Sequence, residues 1–202
     1  MYRDTDLFLE HLRPHYNDAV KYCRALTFRI SIEDAEDLFQ QSVLKGLENF
    51  PKLKEKEKFK SWLFKIITNE FINQTRKAFW KRFIPIDENT NHSRMPEIFH
   101  EIEQTEKNNI LYHALGMLNS KERACILLFE LADFSIEEIK KIQNEKSLSA
   151  VKSRLSRARG KLKEQIIKLE ASQEIRYKKI SSQNLGDLEN ETLKLISEFK
   201  HE

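Results

Sequence analysis

The stretch SIEEIKKIQNEKSLSAVKSRLSRARGKLKEQIIK, residues 135–168, reads as two helices separated by a tight break. Ser135 and Glu138 have the spacing of a capping box, which predicts a short helix that runs to Gln143. Three polar residues, 144–146, then interrupt the apolar pattern. Ser147 or Ser149 is expected to cap a second, longer helix. Its apolar residues recur at helical spacing and predict one buried stripe, formed by Val151, Leu155, Ala158, Leu162 and Ile166.

The other side of this second helix carries small polar residues between two rows of cations. At about 100° per residue, Ser153, Ser156 and Gly160 point away from the apolar stripe. The cations are Lys152, Arg159 and Lys163 along one flank, and Arg154, Arg157 and Lys161 along the other. Residues 140–168 hold ten basic and two acidic side chains, a net charge of +8. The pattern predicts a helix-turn-helix that binds nucleic acid with a steep dependence on salt.

The composition favours an all-α protein. Charged residues make up 33% of the chain and hydrophobic residues 40%, with only 4 Gly and 4 Pro, so few and long helices are expected. The total charge of +3 says little, but its distribution is uneven. Residues 84–106 contain six acidic side chains and one basic side chain, a net of −5, and their composition is typical of a linker.

Three helical segments are predicted before this linker. The first covers residues 4–28 and is interrupted near Pro14, the second begins at a cap by Ser31 and ends before Pro51, and the third covers residues 59–83. The third segment ends in a run that suits single-stranded nucleic acid, with an equally weighted alternative of a core-facing aromatic stripe beside a solvated basic face. That run alternates Arg76, Lys77, Lys81 and Arg82 with Phe79, Trp80 and Phe83.

Other classes of function find little support. Cys23 and Cys125 lie among apolar residues and are expected to be buried structural thiols, and the six histidines are scattered. No glycine-rich phosphate loop or metal-ligand spacing is present, so neither an enzyme nor a cofactor or metal site is expected. The chain shows no signal peptide and no apolar run long enough to span a membrane, which favours a cytoplasmic protein.

Four segments taken together resemble one family. They are DAEDLFQQSVLKGLENF (34–50), FKSWLFKIITNEFINQTRK (59–77), LGMLNSKERACILLFELADFSIEEI (115–139) and AVKSRLSRARGKL (150–162). In order and spacing they resemble the extracytoplasmic-function, or group four, sigma factors of bacterial RNA polymerase, which belong to the sigma-70 superfamily. The resemblance implies an all-α fold of two small domains: region two in residues 1–83, an acidic linker in 84–107, and region four in 108–168. Residues 169–202 form a C-terminal extension of unknown role.

The resemblance also implies partners and site residues. The expected partners are core RNA polymerase, promoter DNA in double-stranded and melted form, and an anti-sigma factor. Contact with polymerase is implied for Asp34, Asp37, Gln40 and Gln41. Contact with the melted minus-ten element is implied for Trp62, Lys65, Ile66, Asn69, Arg76 and Lys77. Contact with the minus-thirty-five duplex is implied for Lys152, Ser153, Ser156 and Arg157, while Arg154 and Arg159 are expected to meet phosphates or neighbouring helices.

Some residues depart from the family pattern. Lys140, Asn144 and Ala150 stand where small residues or glycine are usual in the helix-turn-helix, although Asn144 can still adopt the left-handed conformation that glycine supplies. The loop after Pro51 is longer and more charged than is typical. A competing hypothesis from another class is a helical interaction protein, such as an adaptor or an anti-sigma-like partner, or a helix-turn-helix regulator that acts without polymerase.

Overall fold

The fold is known from a computed structural model, which describes residues 2–27, 32–81 and 106–181, and side chains within 4–27, 33–77 and 110–171. In these ranges every regular element is helical, which confirms the all-α prediction. The α-helices are α1 Tyr2–Leu12, α2 Tyr16–Thr27, α3 Ile32–Asn49, α4 Phe59–Lys81, α5 Glu106–Gly116, α6 Ser120–Glu130, α7 Ile136–Ile142 and α8 Leu148–Ser181.

Helices α1 to α4 form the first helical region. A 3-10 turn, Arg13–His15, with Pro14 near its start, separates α1 from α2, which confirms the predicted interruption. The Phe8 ring packs edge-on against Phe50 and Phe59, with 5.5 Å between centroids in each pair. Gly46 allows α3 to approach this cluster, because a Cβ atom there would lie 3.1 Å from the Phe8 ring. Large apolar side chains therefore fill the centre of the first region.

One polar contact lies inside that core. The Tyr22 hydroxyl and Thr68 Oγ1 are 2.9 Å apart, and both residues are buried. Thr68 also donates to the carbonyl oxygen of Phe64, so the hydroxyls satisfy one another and the helix backbone. Buried hydroxyls need such partners, because an unpaired one costs about 1–3 kcal/mol. The pair fixes α2 against α4.

Helices α5 to α8 form the second helical region, and capping boxes start two of them. Asn119 and Glu122 cap α6, and Ser135 and Glu138 cap α7, as the sequence predicts. Ser147 caps α8, since its hydroxyl accepts from the Ala150 N–H at 3.1 Å. These caps fix where each helix of the helix-turn-helix begins.

Helix α8 is longer than its apolar pattern predicts. The stripe ends at Ile166, yet the helix continues to Ser181. Residues 161–181 contain neither Gly nor Pro, and charged side chains one turn apart, such as Glu164 and Lys168 at 2.6 Å, support a solvated helix. The prediction that order falls off after residue 169 was therefore wrong up to Ser181.

The two helical regions pack directly against each other. The rings of Phe64 and Phe134 meet with centroids 5.1 Å apart, and Lys60 Nζ donates to the Ala132 carbonyl at 3.0 Å. Arg123 Nη1 donates to the Leu26 carbonyl at 2.7 Å. The buried side chains of both regions accordingly form one contiguous hydrophobic core.

Several predictions concern residues outside the described ranges. These are the cap at Ser31, the aromatic side chains Phe79, Trp80 and Phe83 with the cations Lys81 and Arg82, most of the acidic linker (82–105), and residues 182–202.

Candidate nucleic-acid interface

The first half of α8 presents a face that nothing in the described structure covers. Lys152, Ser153, Ser156 and Arg157 are exposed, and we call these four residues the recognition face. On the opposite side of the helix, Val151, Leu155 and Ala158 are at most 4% exposed, as the predicted stripe requires. Within the described residues, neither Lys152 nor Arg157 takes part in an ion pair. The recognition face therefore combines two available cations with two small hydroxyl groups.

Other cations of α8 are occupied by acidic residues. Arg159 donates to Glu130 of α6 and lies over the Phe129 ring, 5.0 Å from its centroid. Lys161 binds both carboxylate oxygens of the buried Glu122, at 2.8 and 2.9 Å. The two rows of cations read from the sequence are thus not equivalent, because part of that charge holds α8 onto α6.

Arg154 is also engaged within the protein. Its Nη1 lies 2.7 Å from Glu145 Oε1 and 2.9 Å from Gln143 Oε1, and its side chain is only 13% exposed. The structure places it beside the turn between α7 and α8 instead of on the recognition face. Within residues 152–159, Lys152, Ser153, Ser156 and Arg157 are presented together, while Arg154 and Arg159 face neighbouring elements.

The turn that precedes α8 uses left-handed backbone without glycine. Asn144 has φ of 52°, and the Glu145 N–H donates to the Lys140 carbonyl at 2.9 Å to close α7. The predicted left-handed conformation of Asn144 is confirmed. Asp133, before α7, has φ of 56°. Lys140 is half-buried and does not prevent α7 from packing on α8.

The first helical region contains an open cavity of about 390 Å³ beside the turn from α3 to α4, which we call the loop pocket. It is lined by Asn49, Lys52, Leu53, Lys54, Glu55, Lys58, Trp62 and Ile66. Trp62 and Ile66 were predicted here. Lys65 and Asn69 are exposed at helical spacing from them but lie outside the lining. Farther along α4, Arg76 and Lys77 are also exposed, and Arg76 donates to Asn73 at 3.3 Å.

The lysines of the loop pocket were missed by sequence reasoning, which treated residues 52–58 as a solvated loop. Two 3-10 turns, Phe50–Lys52 and Lys56–Lys58, shape this segment instead. Lys56 Nζ donates to the Phe50 carbonyl at 2.9 Å and lies 3.4 Å from the centroid of that ring. The available signal was the density of lysines between an aromatic residue that ends one helix and one that begins the next.

Helix α3 carries the residues predicted to meet polymerase. Asp37, Gln40 and Gln41 are exposed, and Asp34 is half-buried. Gln41 Oε1 accepts from Gln74 at 3.2 Å, which ties this face to α4. Leu44 lies one turn beyond Gln40 and Gln41 and is 60% exposed. The sequence analysis missed it, because Leu44 falls outside the apolar stripe of α3.

The thiols and histidines do not form a reactive centre. Burial raises the pKa of Cys23 to about 12 and that of Cys125 to about 11. The described residues contain no group of three or more His, Cys, Asp or Glu placed to hold a metal ion. Within the same ranges, each helix is too short or too polar to cross a membrane.

Two family models match the two helical regions separately. Sigma-70 region 2 matches residues 11–81, and sigma-70 region 4 matches residues 108–162. Together the two matches cover more than half of the chain.

Known proteins match across both regions. RNA polymerase sigma factor YlaC of Bacillus subtilis is 29% identical over 160 residues, which cover 77% of this chain and 90% of the relative. Sigma factor SigV of the same organism is 28% identical over 163 residues, covering 81% of this chain and 90% of the relative.

Solved structures agree with these matches. Sigma factor RpoE of Bartonella quintana, in complex with the anti-sigma factor NepR, superposes with a TM-score of 0.61 at 26% identity. The match covers 79% of this chain and 96% of that one. CnrH, in complex with the cytosolic domain of CnrY, shares the fold with a TM-score of 0.55 at 19% identity, over 83% of this chain and 90% of that one. The chain therefore belongs to the extracytoplasmic-function sigma factors, the DNA-binding initiation factors of the sigma-70 family.

Proposed function

We propose that this sigma factor divides promoter recognition between two surfaces, with the recognition face of α8 on double-stranded DNA and the loop pocket on a melted strand. The observation that carries the proposal is the recognition face itself. Lys152, Ser153, Ser156 and Arg157 are exposed together directly opposite a fully buried stripe. A major groove admits a helix of this kind, with small hydroxyls near base edges and cations near phosphates.

The recognition face is assigned to the minus-thirty-five element. It lies in the first three turns of α8, and the N-terminal residues of a recognition helix are the ones that reach base edges. Arg157 and Lys152 supply the charged contacts, and Ser153 and Ser156 allow close approach. Arg159 and Lys161 keep α8 attached to α6 through Glu130 and Glu122.

The loop pocket is assigned to a base flipped from the minus-ten element. Trp62 offers a ring for stacking, Ile66 an apolar wall, and the lysines of the loop attract the strand. Capture has to repay an unstacking cost of a few kcal/mol, which a preformed cavity helps to do. Asn69 and Lys65, on the same side of α4, are assigned to the base edge and the backbone, and Arg76 and Lys77 to the strand beyond.

The outer face of α3 is assigned to core RNA polymerase. Asp34, Asp37, Gln40 and Gln41 supply polar contacts, and the exposed Leu44 adds an apolar anchor to the same side of the helix. A single exposed leucine beside polar side chains is a common composition for a protein interface. Gln41 and Lys45 are held by Gln74 and Glu70, so α4 supports this face.

We further assign region two to residues 1–83 and region four to residues 108–168, with the acidic segment 84–107 between them. The solved relative RpoE is bound to an anti-sigma factor. By similarity we assign an anti-sigma partner to this chain and place its action in the cytoplasm, where polymerase and promoters are found.

Transcription in vitro tests the function. Purified protein and core polymerase, supplied with a library of genomic fragments, should give discrete start sites that core enzyme alone does not give. A factor that neither binds core enzyme nor directs specific starts would contradict the proposal and would favour a regulator that acts without polymerase.

Two substitutions test the division of labour. Arg157→Ala should weaken binding of the holoenzyme to the double-stranded promoter by about 1–3 kcal/mol, the range for a direct base contact. Asn69→Ala should leave that binding nearly unchanged and slow promoter opening, measured by permanganate reactivity of unpaired thymines. Equal losses of duplex binding in both variants would contradict the assignment.

A further inference from the structure

Arg154 stands out among the cations of α8 because its charge is already neutralised. Its guanidinium lies 2.7 Å from the carboxylate of Glu145, and the two side chains are 13% and 12% exposed. A charge-assisted contact of this length is stronger than a neutral hydrogen bond. Breaking it would leave a carboxylate unpaired in a largely buried position, which is costly. Arg154 is therefore poorly placed to leave Glu145 for a phosphate.

The contacts of Arg154 extend to a third element. Its Nη1 also donates to Gln143 Oε1 at 2.9 Å, and Gln143 Nε2 donates to the carbonyl of Lys121 at 3.1 Å. Gln143 is only 8% exposed. Lys121 lies in the first turn of α6 and Gln143 closes α7. A continuous set of hydrogen bonds thus joins α6, the turn and α8.

This set of bonds crosses the turn that lacks the usual glycine. Asn144 holds a positive φ, which a residue with a Cβ atom adopts at some energetic cost. Gln143 and Glu145 flank Asn144, and both bind Arg154. The side chain of Arg154 consequently clamps the two ends of the strained position and sets the angle at which α8 leaves the turn.

We propose that Arg154 is a positioning residue for promoter recognition, acting through Glu145 and Gln143 to hold the recognition face in register with the base edges. The proposal rests on the proposed function of α8 as the reader of duplex DNA. Arg154 contributes orientation, whereas Arg157 contributes charge at the DNA surface. The two arginines lie three residues apart on one helix but are expected to give different signatures in binding experiments.

Salt dependence separates the two roles. Each phosphate contact adds about 0.9 to the slope of log affinity against log salt. The holoenzyme is titrated with a double-stranded promoter fragment selected in the transcription assay, over a series of salt concentrations. The same fragment with a scrambled minus-thirty-five segment measures non-specific binding. Arg154→Met should lower specific affinity by about tenfold or more, the scale of one lost base contact, with unchanged slope and unchanged non-specific binding.

Glu145→Gln gives an opposite expectation under the two roles. If Arg154 binds phosphate, removal of the Glu145 charge frees the guanidinium and strengthens binding. If Arg154 positions α8, the same substitution weakens specific binding and leaves the slope unchanged. Glu164→Gln is the matched control, because it makes the same change in the exposed Glu164–Lys168 pair of α8 and should alter neither quantity. Thermal unfolding of each variant shows that the protein remains folded.

The outcomes are distinguishable from failure of the proposed function. If Arg157→Ala changes neither affinity nor slope, α8 does not read the duplex, and both proposals fail together. If Arg157→Ala weakens binding as expected, but Arg154→Met lowers the slope by about 0.9 or Glu145→Gln strengthens binding, the positioning role of Arg154 alone is overturned. Loss of specific affinity with constant slope in both Arg154→Met and Glu145→Gln supports it.

Discussion

Arg123 of α6 donates a hydrogen bond of 2.7 Å to the carbonyl oxygen of Leu26 at the end of α2, so a side chain of the second helical region closes a helix of the first. The same guanidinium donates to the carbonyls of Leu115, Gly116 and Leu118 around the end of α5. It also lies over the Phe71 ring at 5.7 Å. Arg123 therefore satisfies carbonyl groups at two helix ends, which otherwise lack partners.

Arg123→Ala should lower the free energy of unfolding by about 2–4 kcal/mol, because several part-buried carbonyl groups lose a charged donor at once. Denaturation in urea, followed by circular dichroism, measures the change. Lys121→Ala is the matched control, since the Lys121 side chain is exposed on the same helix, and it should shift the value by less than about 0.5 kcal/mol. Equal effects of the two substitutions would contradict the role given to Arg123.

Leu44→Gln should weaken binding to core polymerase by roughly five- to tenfold, because the apolar contact at the centre of the α3 face is lost. Stability should not fall, since Leu44 is 60% exposed. Leu9→Gln provides the control, because Leu9 is 51% exposed on α1, a different helix. Competition for core enzyme against a labelled wild-type protein measures both. An effect of Leu9→Gln as large as that of Leu44→Gln would point to a general loss of solubility.

His15 should make stability depend on pH. Its pKa lies below the ordinary value of 6.5, because the ring is partly withdrawn from water, with Lys60 and His11 acting in the same direction and Asp18 against them. The unfolded chain therefore binds a proton at His15 more readily than the folded chain does. The contribution of His15 is present in full above pH 6.5 and is lost as the pH falls below 6.5 through the lower folded pKa.

Two measurements check this pH dependence. His15→Gln should flatten the loss of stability on going from pH 7 to pH 5, followed by urea denaturation. Lys60→Gln should raise the pKa of His15, followed by proton NMR of the ring. A His15 that titrates above 6.5 in the folded protein would show that the nearby cation and the burial have been overestimated.

The thiols of Cys23 and Cys125 should be unreactive in the folded protein. Burial holds their pKa values at about 12 and about 11, so little thiolate exists near neutral pH. Labelling with a coloured disulfide reagent at pH 8 should be slow in buffer and should reach two thiols per chain in denaturant. Fast labelling of either residue in buffer would mean that its surroundings open far more readily than the packing indicates.

Local rules predicted the helix starts well. The capping boxes at Asn119 and Ser135 involve residues three apart, so their contacts are visible in sequence. The buried stripe of α8 follows for the same reason, because helical periodicity fixes which side chains share a face.

Contacts between distant residues were harder to anticipate. Arg154 and Arg157 look alike in sequence, and only the path of the turn brings Glu145 to one of them. The loop pocket depends on two 3-10 turns that periodicity does not encode. The contact of Arg123 with Leu26 joins residues 97 positions apart, and no local pattern specifies it.

The shared core limits how far apart the two DNA-binding surfaces lie. A packed body of about 150 residues has a radius of gyration near 15 Å and is about 40 Å across. Two promoter elements centred about 25 base pairs apart are separated by about 85 Å along straight B-form DNA, at 3.4 Å per base pair. The segment 82–105, fully extended, spans about 80 Å. Occupation of both elements at once therefore requires the chain to exchange the Arg123–Leu26 and Phe64–Phe134 contacts for length.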